Sequence, residues 1–259
     1  MTAPPVVVRS RDNPLLQRLR RLLRDPAGYR RLGEAWVEGE HLCEACVARG
    51  VPVAHAVLAE RGEAIPRLRA LARHATRVTV VADALFDALS GLESPAPIGF
   101  LLALPAEPPL QPGVPSLVLD RLQDAGNVGS LLRSASALGV PQVVALKGTA
   151  ALWSPKVLRA GMGAHLGLRL VEGAEPEALE ALAVPCVATS SHRGEWLHRA
   201  RLPHPCAWLM GHEGQGLSAA LEARASFQVR IAQPGGEESL NVAAAAAICL
   251  HASAAAAEG

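Results

Sequence analysis

From Ser116 onward the chain alternates short apolar runs with helix-like stretches, and that alternation restricts the fold more than any other feature. "SLVLD" (116–120), "QVVAL" (142–146), "LRLVE" (168–172), "PCVATS" (185–190), "CAWLMG" (206–211) and "FQVRIA" (227–232) read as strands. Between them, 130–140, "SPKVLRAG" from Ser154, "EPEALEALA" (175–183) and "LSAALEA" (217–223) read as helices, and an alanine-rich helix from Val242 closes the chain. Ser154 followed by Pro155 is a favoured helix start. Strands joined by helices pair in parallel, so the pattern predicts an α/β fold with a mostly parallel sheet and helices on both faces.

The clearest break in composition lies just upstream. "ALPAEPPLQPGVPS", 103–116, carries five prolines, which disfavour helix and read as an interdomain linker. The predicted organisation is a small N-terminal α/β domain at 1–104, a linker at 105–115 and a larger domain at 116–259. The first domain opens with a basic arm: eight arginines up to Arg31 stand against Asp12 and Asp25. Such an arm is either a nucleic-acid footprint or a solvated helix face. The formal net charge of +1 demands no polyanionic partner.

The five cysteines are scattered, which suits a reducing cytoplasm better than a disulfide framework. Cys43-x-x-Cys46 has no second pair to complete four zinc ligands, and its helical context favours core packing. No apolar run reaches the ~20 residues needed to span a bilayer, and the basic N-terminus lacks a signal-peptide core. The expectation is a cytoplasmic protein with no membrane association and no metal.

In open parallel sheets ligands bind beyond the C-terminal ends of the strands. Three loops occupy such places: "DRLQDAGNVGSLLRS", "LMGHEGQGLS" and "VRIAQPGGEESLN". Each combines glycines, which permit tight turns and close approach, with polar side chains: Asn127 and Arg133, then Glu213, then Ser239 and Asn241. Ser239 and Asn241 stand where a loop enters the alanine helix, so they cap that helix or line a ligand site. A dinucleotide fingerprint fits only partly at Gly126 and Gly129, and no Walker loop or Ser-His-Asp order is present.

"DAGNVGSLLRSASALG", "LMGHEGQGLS" and "IAQPGGEESLNVAAAAAICL" together resemble the three signature motifs of the SpoU (TrmH-type) branch of the SPOUT RNA methyltransferases. "RSRDNPLLQRLRRLL", "WVEGEHLCEA" and "ALFDALSGLESPAPIG" are similar to the small substrate-binding domain of many members. The resemblance implies a deep trefoil knot near the C-terminus, a homodimer, and methylation of a ribose 2′-hydroxyl in RNA with S-adenosylmethionine as cofactor. It implies cofactor contacts at Leu209, Gly211, Gly216, Ile231, Ala232 and Leu240, and catalytic or positioning roles for Arg133, Asn127, Glu213, Ser239 and Asn241. Glu213 is expected to fix Arg133 or a partner-subunit group. Arg9, Arg11, Arg18, Arg21, Lys156 and Arg159 are expected RNA contacts.

Three departures stand out: Ala125 replaces a usual proline, Ile231-Ala232-Gln233 replaces a frequent Ile-Pro-Met, and His212 replaces a commoner asparagine. The extra domain favours rRNA over tRNA as substrate. A non-catalytic RNA-binding or assembly factor on the same scaffold is the alternative; the retained polar set argues against it.

Overall fold

The computed structural model describes residues 7–90, 94–190, 193–235 and 239–258. The chain divides into two compact units: one runs to Ala106 and includes Trp153–Leu166, and the other comprises Glu107–Leu152 and the chain from Gly167 onward.

In the first unit, β1 (Val7–Val8), β2 (Glu34–Glu38), β3 (Val53–Ala59), β4 (Ala75–Val81) and β5 (Ile98–Ala103) form a sheet in the order β1-β4-β3-β5-β2. β1, β4 and β3 run parallel, whereas β5 is antiparallel to β3 and β2. Helix α1 (Pro14–Arg24) begins where the Asn13 side chain accepts the Leu15 N–H at 2.9 Å, and it buries Leu16, Leu19 and Leu22. That is the face the leucine spacing predicts. The short α2 (Gly28–Leu32) leads into β2. α3 (Glu40–Ala48), α4 (Glu60–Glu63), α5 (Pro66–Ala72) and α6 (Asp83–Asp87) complete the layer structure. Leu42, Cys43 and Cys46 of α3 and Leu68 of α5 pack on Ala56, Leu58 and Phe100 in the core of one sheet face. The pair Cys43–Cys46 is thus core, with burial raising both thiols.

The second unit carries a seven-stranded sheet of β6 (Ser116–Leu119), β7 (Gln142–Leu146), β8 (Arg169–Ala174), β9 (Cys186–Thr189), β10 (Glu195–Trp196), β11 (Ala207–Met210) and β12 (Phe227–Arg230). Their order is β10-β12-β9-β11-β6-β7-β8 and every neighbouring pair is parallel. β6, β7 and β11 are buried at every position, as expected of strands covered on both faces. The helices are α7 (Ala125–Ala137), α9 (Ala219–Glu222) and α10 (Val242–Glu258); α8 (Pro155–Gly161), between β7 and β8 in sequence, belongs to the first unit. There α8 packs on β2, and Leu166 beyond it joins the α3–α5 core. α10 lies along α7 and is pinned to β11 where Trp208 Nε1 donates to Ser253 Oγ at 2.9 Å.

Several sequence expectations change here. The glycines at 126 and 129, predicted as loop, lie in the first turns of α7, because Asp124 caps that helix by accepting the Asn127 N–H at 2.7 Å. The helix predicted at 175–183 is a 3₁₀ helix, Pro176–Leu182, whose tighter winding spans more length per residue. Ser154 precedes α8 without a side-chain capping bond. In the second unit, β10 is an addition to the six predicted strands.

The proline-rich segment is held against the second unit from Glu107 onward. Glu107 accepts the Glu172 N–H at 2.5 Å, and Arg169 donates to the Pro109 carbonyl at 3.1 Å. The fully buried Gln142 amide donates to Ser116 Oγ and the Gln111 carbonyl and accepts the Gln111 N–H. All its bonding groups are thereby used, as burial requires.

Candidate active site

The loops after β6, β11 and β12 meet at the C-terminal edge of the large sheet. A cavity of about 320 Å³ opens there, with Gly211, Glu213, Gly216, Ile231, Ser239 and Leu240 on its wall. This volume falls within the usual size range of small-molecule sites. The second loop is folded tightly back on itself by backbone bonds in both directions between His212 and Gly216. Gly216 takes a left-handed conformation, φ +68°. At Gly211 a Cβ would lie 2.3 Å from the Gly216 carbonyl carbon and 2.4 Å from the Leu217 nitrogen, so only glycine fits. His212, on the cavity wall, turns its Nδ1 to accept the Gly214 N–H at 3.1 Å.

A chain of side-chain hydrogen bonds ties the three loops together. Asn241 Nδ2 donates to Asn127 Oδ1 at 3.0 Å, and Asn127 Nδ2 donates to Glu213 Oε1 at 3.2 Å. The Asn241 Oδ1 meanwhile accepts the Ala243 N–H at 2.9 Å, as a helix cap does. Capping and site-building are thus two functions of one side chain, divided between its oxygen and its nitrogen. Within the described residues Glu213 bonds Asn127, which lies on the first turn of α7 beside the loop, and makes no bond to Arg133. Ser239 is exposed on the cavity wall, and Gly236–Glu238 just before it lie outside the described residues.

Sequence reasoning missed a second tie between loops. Asp120, only 2% exposed at the end of β6, accepts the Ser218 N–H at 2.6 Å and the Arg121 Nε–H at 2.9 Å. Arg121 in turn donates to Gln215 at 3.2 Å, and its backbone is left-handed, φ 57°. Its hydrogen bond to the Asp120 carboxylate raises the guanidinium pKa, so Arg121 stays charged. A buried carboxylate requires such partners. The acidic and basic pair at the start of the first loop was the available signal.

Other expected residues fall elsewhere. Arg133 is exposed on α7, does not line the cavity, and makes no hydrogen bond or ion pair among the described residues. Six residues beyond Asn127, it sits about 240° around the helix. Leu209 is fully buried in the sheet core and Ala232 is exposed; neither lines the cavity. In the first unit, Arg9 pairs with Glu60 and Arg18 with Glu34 at 3.0 Å, while Arg31 pairs with Asp25. Part of the basic excess is therefore neutralised internally. Arg11, Arg21 and Lys156 are exposed and Arg159 is half-buried.

The cavity wall carries the polar side chains of His212, Glu213, Ser239 and Asn241. Gln233 Oε1 is a buried acceptor on the same wall with no partner among the described residues, and glycine backbone at 211 and 216 leaves room for close approach. Among the described residues no group of three His, Cys, Asp or Glu side chains is placed to hold a metal, and no helix is long and apolar enough to cross a membrane.

The profile of the SpoU rRNA Methylase family matches residues 115–251. An uncharacterized tRNA/rRNA methyltransferase of Synechocystis is 30% identical over 97% of this chain and 94% of its own length. The 23S rRNA (guanosine(2553)-2′-O)-methyltransferase of Bacillus subtilis is 29% identical over 83% of this chain and 86% of its own. Among solved structures, the SpoU methyltransferase AviRb of Streptomyces viridochromogenes, in complex with AdoMet, superposes with a TM-score of 0.85 and 26% identity. That match covers 95% of this chain and 99% of the other.

Proposed function

Because this chain belongs to the SpoU rRNA methylase family, we propose that it transfers a methyl group from S-adenosylmethionine to a ribose 2′-hydroxyl of structured RNA, with rRNA as the substrate. The observation that carries the reading is the Asn241–Asn127–Glu213 chain, whose two ends, Asn241 and Glu213, line the cavity while Asn127 joins them. The names of two relatives support both the ribose position and the rRNA class, since the Bacillus subtilis protein and a 23S rRNA (uridine(2479)-2′-O)-methyltransferase of Streptomyces viridochromogenes carry both.

S-adenosylmethionine would be held by the backbone around Gly211 and Gly216 and by Ile231 and Leu240. Bound there, S-adenosylmethionine supplies an electrophilic methyl on a sulfonium, open to in-line displacement by oxygen. Alignment supplies most of the acceleration in such a reaction. Asn127 and Asn241, locked to one another and to Glu213, fix the loop backbones that set that alignment. Ser239 contributes a hydroxyl at the cofactor or phosphate. Arg133 orients the phosphate of the target nucleotide and stabilises charge on the 2′-oxygen, a role that suits a guanidinium better than that of a base.

The large unit works as a homodimer, a reading supported by Ile248, an apolar side chain 42% exposed on the alanine-rich α10. The chain closes in the trefoil knot of the family, and the protein acts in the cytoplasm.

The test is transfer of labelled methyl to unmodified rRNA and, separately, to tRNA, followed by nuclease digestion. Label recovered as a 2′-O-methylnucleotide from rRNA is expected, and Arg133→Ala is expected to abolish it while RNA binding persists. Label only in tRNA would overturn the rRNA assignment, and no cofactor binding at all would overturn the enzyme reading.

A further inference from the structure

The five-stranded sheet of the first unit has one face that is covered at one side and open at the other. Trp36 of β2, Leu101 of β5, His55 of β3 and Arg77 of β4 stand in register across four strands, so their side chains share that face. At the β2 side the row is closed: Trp36 and Leu101 are 3% and 1% exposed, and Phe86 of α6 packs on the Trp36 ring at 6.5 Å. Toward β4 the row opens, with His55 half-buried and Arg77 exposed. In the next row along, Thr79 shares the face, and its hydroxyl meets His55 Nε2 at 2.7 Å.

The charges that act on this open half are those of Arg77 and of Arg18, the latter paired with Glu34 at the β2 side. Burial first, and then the charges of Arg77 and Arg18, hold His55 below its ordinary pKa of 6.5, so Arg18 of α1 reaches this face electrostatically as well. Arg18 has Glu34 as counter-ion at 3.0 Å. Arg77 makes no hydrogen bond or ion pair among the described residues. An exposed guanidinium kept free beside a second cation and a hydroxyl matches the chemistry of a phosphodiester. Arginine binds phosphate through two parallel N–H groups, and neutral hydroxyl donors complete such contacts.

We propose that the open half of this sheet face, formed by Arg77, Thr79 and His55 with Arg18 at its border, is a surface by which the first unit grips the backbone of structured RNA. The inference rests on the RNA methyltransferase reading above and adds residues of β3 and β4 to the expected arginine arm. Recognition here is of shape and phosphate position rather than base identity, as is usual for folded RNA.

The experiment uses the full chain and an unmodified 23S rRNA transcript, with binding followed against salt concentration and methyl transfer measured in parallel. Arg77→Gln is expected to lower the steepness of the logarithmic salt dependence by ~0.7–0.9, one phosphate contact. Arg77→Glu is expected to weaken binding ~10-fold or more, raising KM for RNA with kcat and cofactor affinity unchanged. Arg73→Gln, exposed at the end of α5, which packs on the opposite face, serves as the control and should match wild type. Equal salt slopes and equal KM for wild type and the Arg77 variants would overturn the surface while wild-type transfer upholds the methyltransferase reading. Binding that depends on Arg77 in a chain that transfers no methyl to any RNA would do the reverse. Wild-type binding no tighter than that of Arg77→Glu overturns the surface in either case.

Discussion

Asn241 shows how much one side chain can carry at the entrance to a helix. Its oxygen caps α10 and its nitrogen reaches Asn127, so two substitutions separate the two functions. Asn241→Ser keeps a capping oxygen and loses the inter-loop bond; stability should stay near wild type while kcat falls. Asn241→Ala should lose ~1 kcal/mol of stability as well, the usual effect of removing a cap. Thermal unfolding alongside steady-state kinetics distinguishes the two, and a Ser variant with wild-type kcat would remove Asn241 from the site. Gly211 is decided by space instead. A Cβ there meets the returning backbone of Gly216 and Leu217, so Gly211→Ala should open the second loop and weaken S-adenosylmethionine binding ~10-fold or more, equivalent to at least ~1.4 kcal/mol. Calorimetric titration of the cofactor reads this directly. The glycines and polar residues of these loops were legible in the sequence because each stands at the end of an apolar run. Asp120 was not, since its partner Ser218 lies 98 residues away.

At the scale of elements, the strand pattern predicted the parallel sheet because both faces of these strands are covered and their apolar runs are continuous. Helix starts were less legible. Asp124 begins α7 earlier than the pattern suggests, and this turns Asn127 toward Glu213 and carries Arg133 around to another side. In the small sheet, burial and two guanidinium charges depress the His55 pKa. As pH falls, the unfolded chain then takes up the proton before the folded one does. The contribution of His55 to stability is complete above the ordinary value of 6.5 and is lost as pH falls through the lower folded value. The melting temperature of His55→Gln relative to wild type should therefore rise between pH 7.5 and pH 5. A constant difference across that range would show that His55 titrates alike in both states.

At the scale of the whole molecule, the exposed Ile248 on α10 is the position from which to test the homodimer. Ile248→Glu should sediment as a folded monomer, because an exposed site loses little within the protomer on substitution, with a melting temperature lowered only by the lost association, and methyl transfer should fall with the dimer. A variant that remains dimeric would move the interface off this face. The sequence by itself determined the α/β class and the three glycine-bearing loops, because periodicity and glycine act over a few residues. Tertiary structure alone decided that Trp153–Leu166 returns to the first unit, that Asp120 clamps Ser218, and that His55 and Arg77 share an open face. These depend on strand order and register, which bring together residues far apart along the chain and which no local pattern encodes.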